Sequence, residues 1–334
     1  MIILVLINVI RTNAQDIQFS QFYSAALYQN PAFAGSSHHH RGTFHQRLQW
    51  PALDAKYVTS MLSYDTYNSK YNSGFGIVAL KDWQGASTIN SMDVGLQYAY
   101  ELYLNRTISF RPGIQLSYVS RNLNYAGLTV PEDYTNNGLV GTAALQDRAR
   151  IQYVDVSAGG IAYTGNFWFG FSVHHINRPN QSFIKGVSRL PAKVAFTGGY
   201  KISFKETNFH HLEYLDHDRE YSITPTFHYK FQGESDQLDL GLYGIYDFAV
   251  VGLWYRGIPV KNYDRKFVNH ESMIALIGWK YESLTITYSY DFTVSRLVKS
   301  RTAGSHELNV TYIYKKKKHR KIIKRLPCPN FNHH

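Results

Sequence analysis

Apolar and polar residues alternate one for one along this chain, in runs longer than a soluble strand needs. Ile108, Phe110, Pro112, Ile114, Leu116 and Tyr118 interleave with Ser109, Arg111, Gly113, Gln115 and Ser117. Leu284, Ile286, Tyr288, Tyr290 and Phe292 interleave with Thr285, Thr287, Ser289 and Asp291. Near the end, Leu308, Val310, Tyr312 and Tyr314 do the same with Glu307, Asn309, Thr311 and Ile313. The pattern also runs through 92–104 and 223–231. Successive side chains of a strand point to opposite faces, so a period of two gives each run one apolar and one polar face. No segment has a strong, long helical period, and the chain reads as all-β.

Two architectures use such alternation. A soluble sandwich has strands of about 5–6 residues around a shared dry core. A membrane barrel needs strands of about 9–11 residues, apolar outside and polar inside, with aromatic girdles at both interfaces. The runs here are of the longer kind, and their polar phase holds Asp93, Gln97, Glu101, Arg111, Asp239 and Asp291. Those groups are costly in a sandwich core and suit a wet lumen. The 27 Tyr, 19 Phe and 5 Trp also suit a barrel, since Tyr and Trp are at ease with one end dry and the other wet. A mean hydropathy of −0.32 and the absence of a long apolar run exclude a helical multispan protein.

Strands are expected near 41–49, 56–66, 72–83, 88–103, 106–120, 151–164, 166–177, 191–203, 221–231, 235–246, 248–257, 269–281, 283–292 and 304–315. That is a transmembrane antiparallel β-barrel of the outer-membrane type with about 14 strands, an even number that returns both termini to one side. With the termini periplasmic, 104–106, 164–166, 246–248 and 281–283 are tight inner turns. The stretches 120–150, 177–190, 257–269 and 293–304 are then long outer loops. Segment 204–220 breaks the rule, as a long connection on the inner side.

The ends refine this plan. Residues 1–14 read as a signal peptide: Met1 to Ile10 is apolar but too short to span, and Thr12 and Ala14 are small residues before a cut at Gln15. Residues 15–40 hold few charges but Phe19, Phe22, Tyr23, Leu27, Tyr28 and Phe33, which suits a plug packed in the periplasmic mouth. The barrel occupies 41–315, and 316–334 form a basic periplasmic tail. Between Lys315 and Arg325 lie eight positive charges and no acid, so 11 − 8 leaves a net charge of +3 for the rest. The basicity is a property of the tail, and together with export it argues against a nucleic-acid partner.

Several stretches resemble the PorP/SprF family of type IX secretion proteins. Gln15-Asp-Ile-Gln-Phe-Ser-Gln-Phe-Tyr23 and Leu27-Tyr-Gln-Asn-Pro-Ala-Phe-Ala-Gly35 resemble its start. Gln49-Trp50-Pro51, Phe169-Gly-Phe-Ser-Val-His-His-Ile-Asn-Arg-Pro-Asn-Gln-Ser-Phe183, Gly252-Leu-Trp-Tyr-Arg256 and Gly304-Ser-His-Glu-Leu308 follow in family order. The resemblance implies an outer-membrane barrel of the secretion or gliding machinery. Its expected partners are secretion-machinery subunits, or a large surface adhesin with a C-terminal sorting domain, together with outer-membrane lipid. A channel for small solutes is the alternative.

Candidate partner-binding residues are Asn30, Pro31 and Gly35 in the N-terminal segment and Asn177, Arg178, Pro179 and Asn180 in an outer loop. Lys315, Lys316, Lys317, Lys318, Arg320 and Lys321 of the tail complete the set. Proline stiffens the loop while Arg and Asn supply donors, although a packed turn closing the mouth uses the same residues. Enzymatic and metal chemistry is not expected, nor any cofactor. His174 and His175 are neighbours on a strand and should face opposite ways, so they make a poor ligand pair. Ser305, His306 and Glu307 are adjacent and cannot converge as a triad. The single cysteine, Cys328, excludes a disulfide scaffold and any Cys-x-x-Cys site.

Overall fold

The alternating runs become fourteen antiparallel strands, each paired with its chain neighbours and the last with the first. The computed structural model describes residues 16–53, 57–85, 89–124, 150–183, 186–204, 221–263, 267–294 and 302–314. The strands are β1 (His40–Gln49), β2 (Tyr57–Asn68), β3 (Ser73–Gln84), β4 (Ile89–Tyr100), β5 (Ser109–Leu123), β6 (Arg150–Tyr163) and β7 (Phe167–His174). They continue as β8 (Lys193–Tyr200), β9 (Tyr221–Gln232), β10 (Ser235–Tyr246), β11 (Ala249–Tyr263), β12 (Phe267–Tyr281), β13 (Leu284–Thr293) and β14 (Ser305–Tyr314). Two-residue pieces, Leu102–Tyr103 and Ile202–Ser203, prolong β4 and β8 along the same neighbours. Pairing of His40 with Tyr314 through Gln49 with Ser305 closes the sheet, which leaves no edge for another chain to extend.

The two faces are inverted relative to a soluble protein. Leu62, Leu96, Ile114 and Ile277 are each at least 60 % exposed, whereas Arg111 and Arg256 are at most 1 % exposed. Aliphatic side chains at mid-strand form an outward band, the surface a bilayer interior requires. Tyr71, Tyr100, Tyr103, Phe167, Tyr200 and Tyr246 are exposed at the strand ends of one mouth, and Trp279 stacks on Tyr281 there. This ring is an interfacial girdle. The mouth that carries it, where β1 begins and β14 ends, is called the near mouth below, and the other the far mouth.

The described near-mouth connections are short, at 69–72, 104–108, 164–166, 247–248 and 282–283. In the two-residue hairpins Asp247 and Glu282 take left-handed φ of 56° and 46°, the twist that tight hairpins favour. Far-mouth connections include 124–149, 175–192 and 294–304. The long outer loop expected at 257–269 is not one. β11 and β12 continue to Tyr263 and from Phe267, with register shifts after Arg256 and after Ile258. Gly257 pairs with His270, and 259–261 are extra residues of β11 between the pairs Ile258–Asn269 and Asn262–Val268, an irregularity that the paired strands absorb. The expected signal peptide, most of the 120–150 and 204–220 segments, and the basic tail lie outside the described residues.

Candidate functional site: the filled lumen

The charged residues of the polar phase do not line a wet channel. They grip the N-terminal segment, residues 16–39, which fills the lumen and touches inward-facing side chains of nearly every strand. Its path is fixed by its contacts. Asp16 lies at the far mouth, where its carboxylate meets His175 Nε2 and Lys193 Nζ, each at 2.8 Å, and Gln232 Nε2 at 3.2 Å. These residues follow β7, begin β8 and end β9 respectively. At the other extreme His38 contacts Glu101 at 3.0 Å, beside the near mouth. The first and last strands share the near mouth, as an even strand number requires, while the N-terminal segment carries Asp16 through the barrel to the opposite one.

Two ionic clusters hold the segment's irregular backbone. Toward the far mouth, Glu307 accepts from Ser20 N at 2.7 Å and Gln21 N at 3.1 Å. Arg47 joins Asp291 at 3.0 Å and Glu307 at 3.2 Å, and also donates to Ser20 Oγ. Arg256 pairs with Asp239 at 2.9 Å and donates to Phe19 O at 3.3 Å. Toward the near mouth, Arg41 pairs with Asp65 at 2.7 Å, and Asp65 accepts from Gly35 N at 2.7 Å. Arg111 donates to the carbonyls of Ala32 and Ala34, and Glu101 accepts from Tyr67 and Tyr163. A buried charge persists only when paired and hydrogen-bonded, and here the segment's own backbone completes the pairing.

Shape matching complements the charge. Phe22 and Tyr23 pack with Tyr243, Ile245, Val250, Trp254, Ile274 and Leu276, and Tyr23 stacks between Tyr243 and Trp254 at 5.4 Å from each ring. A short helix, α1 (Ala26–Gln29), and a 3-10 turn, Pro31–Phe33, fill the opposite half against Met61, Val78, Leu80 and Ile161. The wall is cut back to glycine where the segment comes closest. A Cβ on Gly113 would lie 2.4 Å from Ala32 N, and one on Gly159 would lie 2.2 Å from Asn30 Oδ1. A cavity of about 110 Å³ remains beside Ile17 and Tyr28, beneath Gln181 and Leu190 of the 175–192 loop.

The candidate residues separate into three groups. Asn30, Pro31 and Gly35 are buried and bind this chain itself. Asn30 Nδ2 donates to Phe171 O at 2.8 Å and Gly160 O at 3.3 Å, and its Oδ1 accepts from Ala32 N at 2.9 Å. Asn177, Arg178 and Asn180 are exposed on the far-mouth loop, with Pro179 buried beneath them. Asn177 Nδ2 donates to Val154 O at 2.6 Å and Oδ1 accepts from Val156 N at 3.2 Å, so one amide caps the stretch of β6 that outruns β7. Asn180 braces its own loop through Gly186 O and Ser188 N. The third group, Lys315 to Lys318, Arg320 and Lys321, lies outside the described residues.

The histidines behave differently from the strand expectation. His174 faces the lumen and meets Gln29 O at 2.9 Å. β7 stops there, and His175, with a left-handed φ of 57°, turns back into the lumen to bridge Asp155 and Asp16. Burial disfavours charge on His175, but Asp16 and Asp155 prevail and raise its pKa to about 9. Burial likewise opposes the Asp16 carboxylate, yet Lys193 and His175 hold it well below the usual range. Among the described residues no group of three or more His, Cys, Asp or Glu could hold a metal ion.

A model of the family described as type IX secretion system membrane protein PorP/SprF matches residues 11–312, nearly the whole chain. The chain belongs to the PorP/SprF family. It is thus an outer-membrane-type barrel of type IX secretion. The PorP/SprF chain resembles several solved barrels at low identity. The outer membrane protein Omp33 of Acinetobacter baumannii is 9% identical, covering 84% of this chain and 100% of its own, with a TM-score of 0.43. The toluene transporter TodX of Pseudomonas putida is 10% identical, covering 90% and 94%, with a TM-score of 0.44. The KdgM porin is 10% identical, covering 82% and 99%, with a TM-score of 0.37. No curated protein matches the sequence.

Proposed function

We propose that this PorP/SprF barrel is a docking and anchoring element of the type IX machinery. It holds an exported adhesin with a C-terminal sorting domain at one mouth, or joins the barrel to periplasmic secretion subunits at the other. The observation that supports this reading is the filled lumen. Residues 16–39 occupy the space a solute path would need, and buried ion pairs fasten them. A barrel filled by its own chain acts through its rims, and loops on a rigid scaffold are where partners bind. In this reading the near mouth, with its short turns, faces the periplasm. The tail from Lys315 onward then leaves β14 on that side, where it clamps an acidic subunit or anionic head groups. The far-mouth loop from Asn177 to Asn180 forms the docking rim.

Mild-detergent purification of the tagged protein with mass spectrometry tests the proposal. Recovery of secretion subunits or a large exported adhesin is expected. A partner-free barrel that takes up small solutes in liposomes would favour the channel alternative.

A further inference from the structure

The outward face is not apolar all the way to the far mouth. On β3 the outward phase runs Phe75, Ile77 and Ala79, and then meets Lys81. Strand register places Lys81 in one row with Ser60 on β2, Met92 on β4, Ser120 on β5 and Gln152 on β6. The next row toward the far mouth is Trp83, Asn90, Asn122 and Arg150. Residues directly opposite on neighbouring strands share a face, so the two rows make one outward patch. Lys81, Asn122, Arg150 and Gln152 are exposed in it.

The patch is cationic. Arg150 Nε donates to Ser120 Oγ at 3.1 Å, and Gln152, with its amide turned to suit its neighbours, accepts from Arg150 Nη2 at 2.9 Å. The Lys81 ammonium lies over the Trp83 ring, 5.1 Å from its centre. Tryptophan settles at the head-group level of a bilayer, and a lysine one row below reaches that level along its own stem. Among the described residues of β1–β6 the acids, Asp65, Asp82, Asp93 and Asp155, all lie in the inward phase, so neither cation has a carboxylate beside it. Across the barrel, β9, β12 and β13 carry Phe231, Met273 and Phe292 outward near the same mouth. The asymmetry marks out one wall.

We infer that the far-mouth edge of the β3–β6 wall binds the phosphates of anionic lipid head groups through Lys81 and Arg150, with Asn122 and Gln152 as flanking hydrogen-bond donors. The patch sits at the end of the apolar band, so the acyl chains of the same molecules cover Ile77, Leu96 and Leu116 below it. A soluble anion would gain nothing from that floor. Trp83 and Arg150 stand three strand spacings apart, about 14 Å, so each cation takes its own phosphate. The inference concerns the wall that faces the bilayer and is independent of the docking proposal, which concerns the rims.

The test uses the purified full-length barrel in nanodiscs that contain a trace of phosphatidylglycerol with a photoreactive group just below the head group. A parallel sample holds phosphatidylcholine carrying the same group, and adducts are mapped by tandem mass spectrometry. Phosphatidylglycerol should label the far-mouth ends of β3–β6 at least fivefold more than phosphatidylcholine does. Lys81→Gln combined with Arg150→Gln should abolish that preference, while labelling at the near mouth and on the basic tail stays as in the wild type. Lys81→Arg with Arg150→Lys, which keeps both charges, should retain it, and sodium phosphate at constant ionic strength should not compete. The inference is overturned if the two lipids label this wall equally or if the double Gln variant keeps the preference. Loss of the preference in inorganic phosphate would also overturn it, as the mark of a free-ion site.

Discussion

Asn30 ties three pieces of backbone together with a single amide, on β6, on β7 and in its own 3-10 turn. Replacing it with alanine leaves buried carbonyls and an N–H without partners, at a cost of about 1–3 kcal/mol. Asn30→Ala should therefore lower Tm in a detergent melt while the strands stay formed by circular dichroism. Gly113→Ala acts from the other side of the same contact. Its Cβ meets backbone at Ala32, which has no flexible end to yield, so residues 16–39 should become sensitive to protease. The far-mouth latch adds a pH dependence. The pKa of His175 is raised from 6.5 to about 9, so its contribution is complete below about pH 6.5 and is lost as pH climbs through 9. Asp16 is lowered, so its contribution is complete above about pH 4 and is lost only on strong acidification. Wild-type Tm should fall between pH 6.5 and 9, and His175→Gln should flatten that slope. An unchanged slope in the variant would remove His175 from the account. The polar phase of the sequence contained most of the charges that matter, but not their pairing. Arg47 lies opposite Glu307, Arg41 opposite Asp65 and Asp239 opposite Arg256, and those matches depend on strand register.

At the scale of elements, the strands were the most legible feature because lipid outside and packed polar contacts inside both enforce a period of two. Fourteen strands were expected and fourteen close the barrel, with ends displaced by a few residues. The misreadings have local causes. The stretch 257–269 reads as a loop, where register shifts after Arg256 and Ile258 let β11 carry on. His175 was assigned to a strand that ends one residue earlier. The N-terminal segment's aromatic content pointed to packing in a mouth. Its passage from one mouth to the other rests on contacts such as Asp16 with Lys193 and His38 with Glu101, far apart in sequence. Deleting 15–35 takes from Arg111, Arg256, Glu307 and Asp65 the backbone carbonyls and N–H groups that complete their pairing, and so should cost stability or block assembly. A fully assembled, heat-stable deletion barrel would contradict this. Asn177→Ala should loosen only the capped stretch of β6, visible as faster amide exchange at Val156.

For the molecule as a whole, the wall and the segment inside it form one packed unit, with apolar clusters on two sides and ion pairs at both ends. The aromatic residues divide accordingly, some in the outward girdle and others, such as Trp254 and Tyr163, against the segment. A barrel built this way presents two rims around a lumen occupied by its own residues 16–39, which supports reading it as a docking element. Conductance in planar bilayers tests that claim most directly. The account predicts no sustained open-channel current from the wild-type barrel, and current from any barrel whose residues 16–39 have been displaced by Gly113→Ala. A wild-type protein that conducts steadily, at the level of an open porin and unchanged by Gly113→Ala, would contradict it.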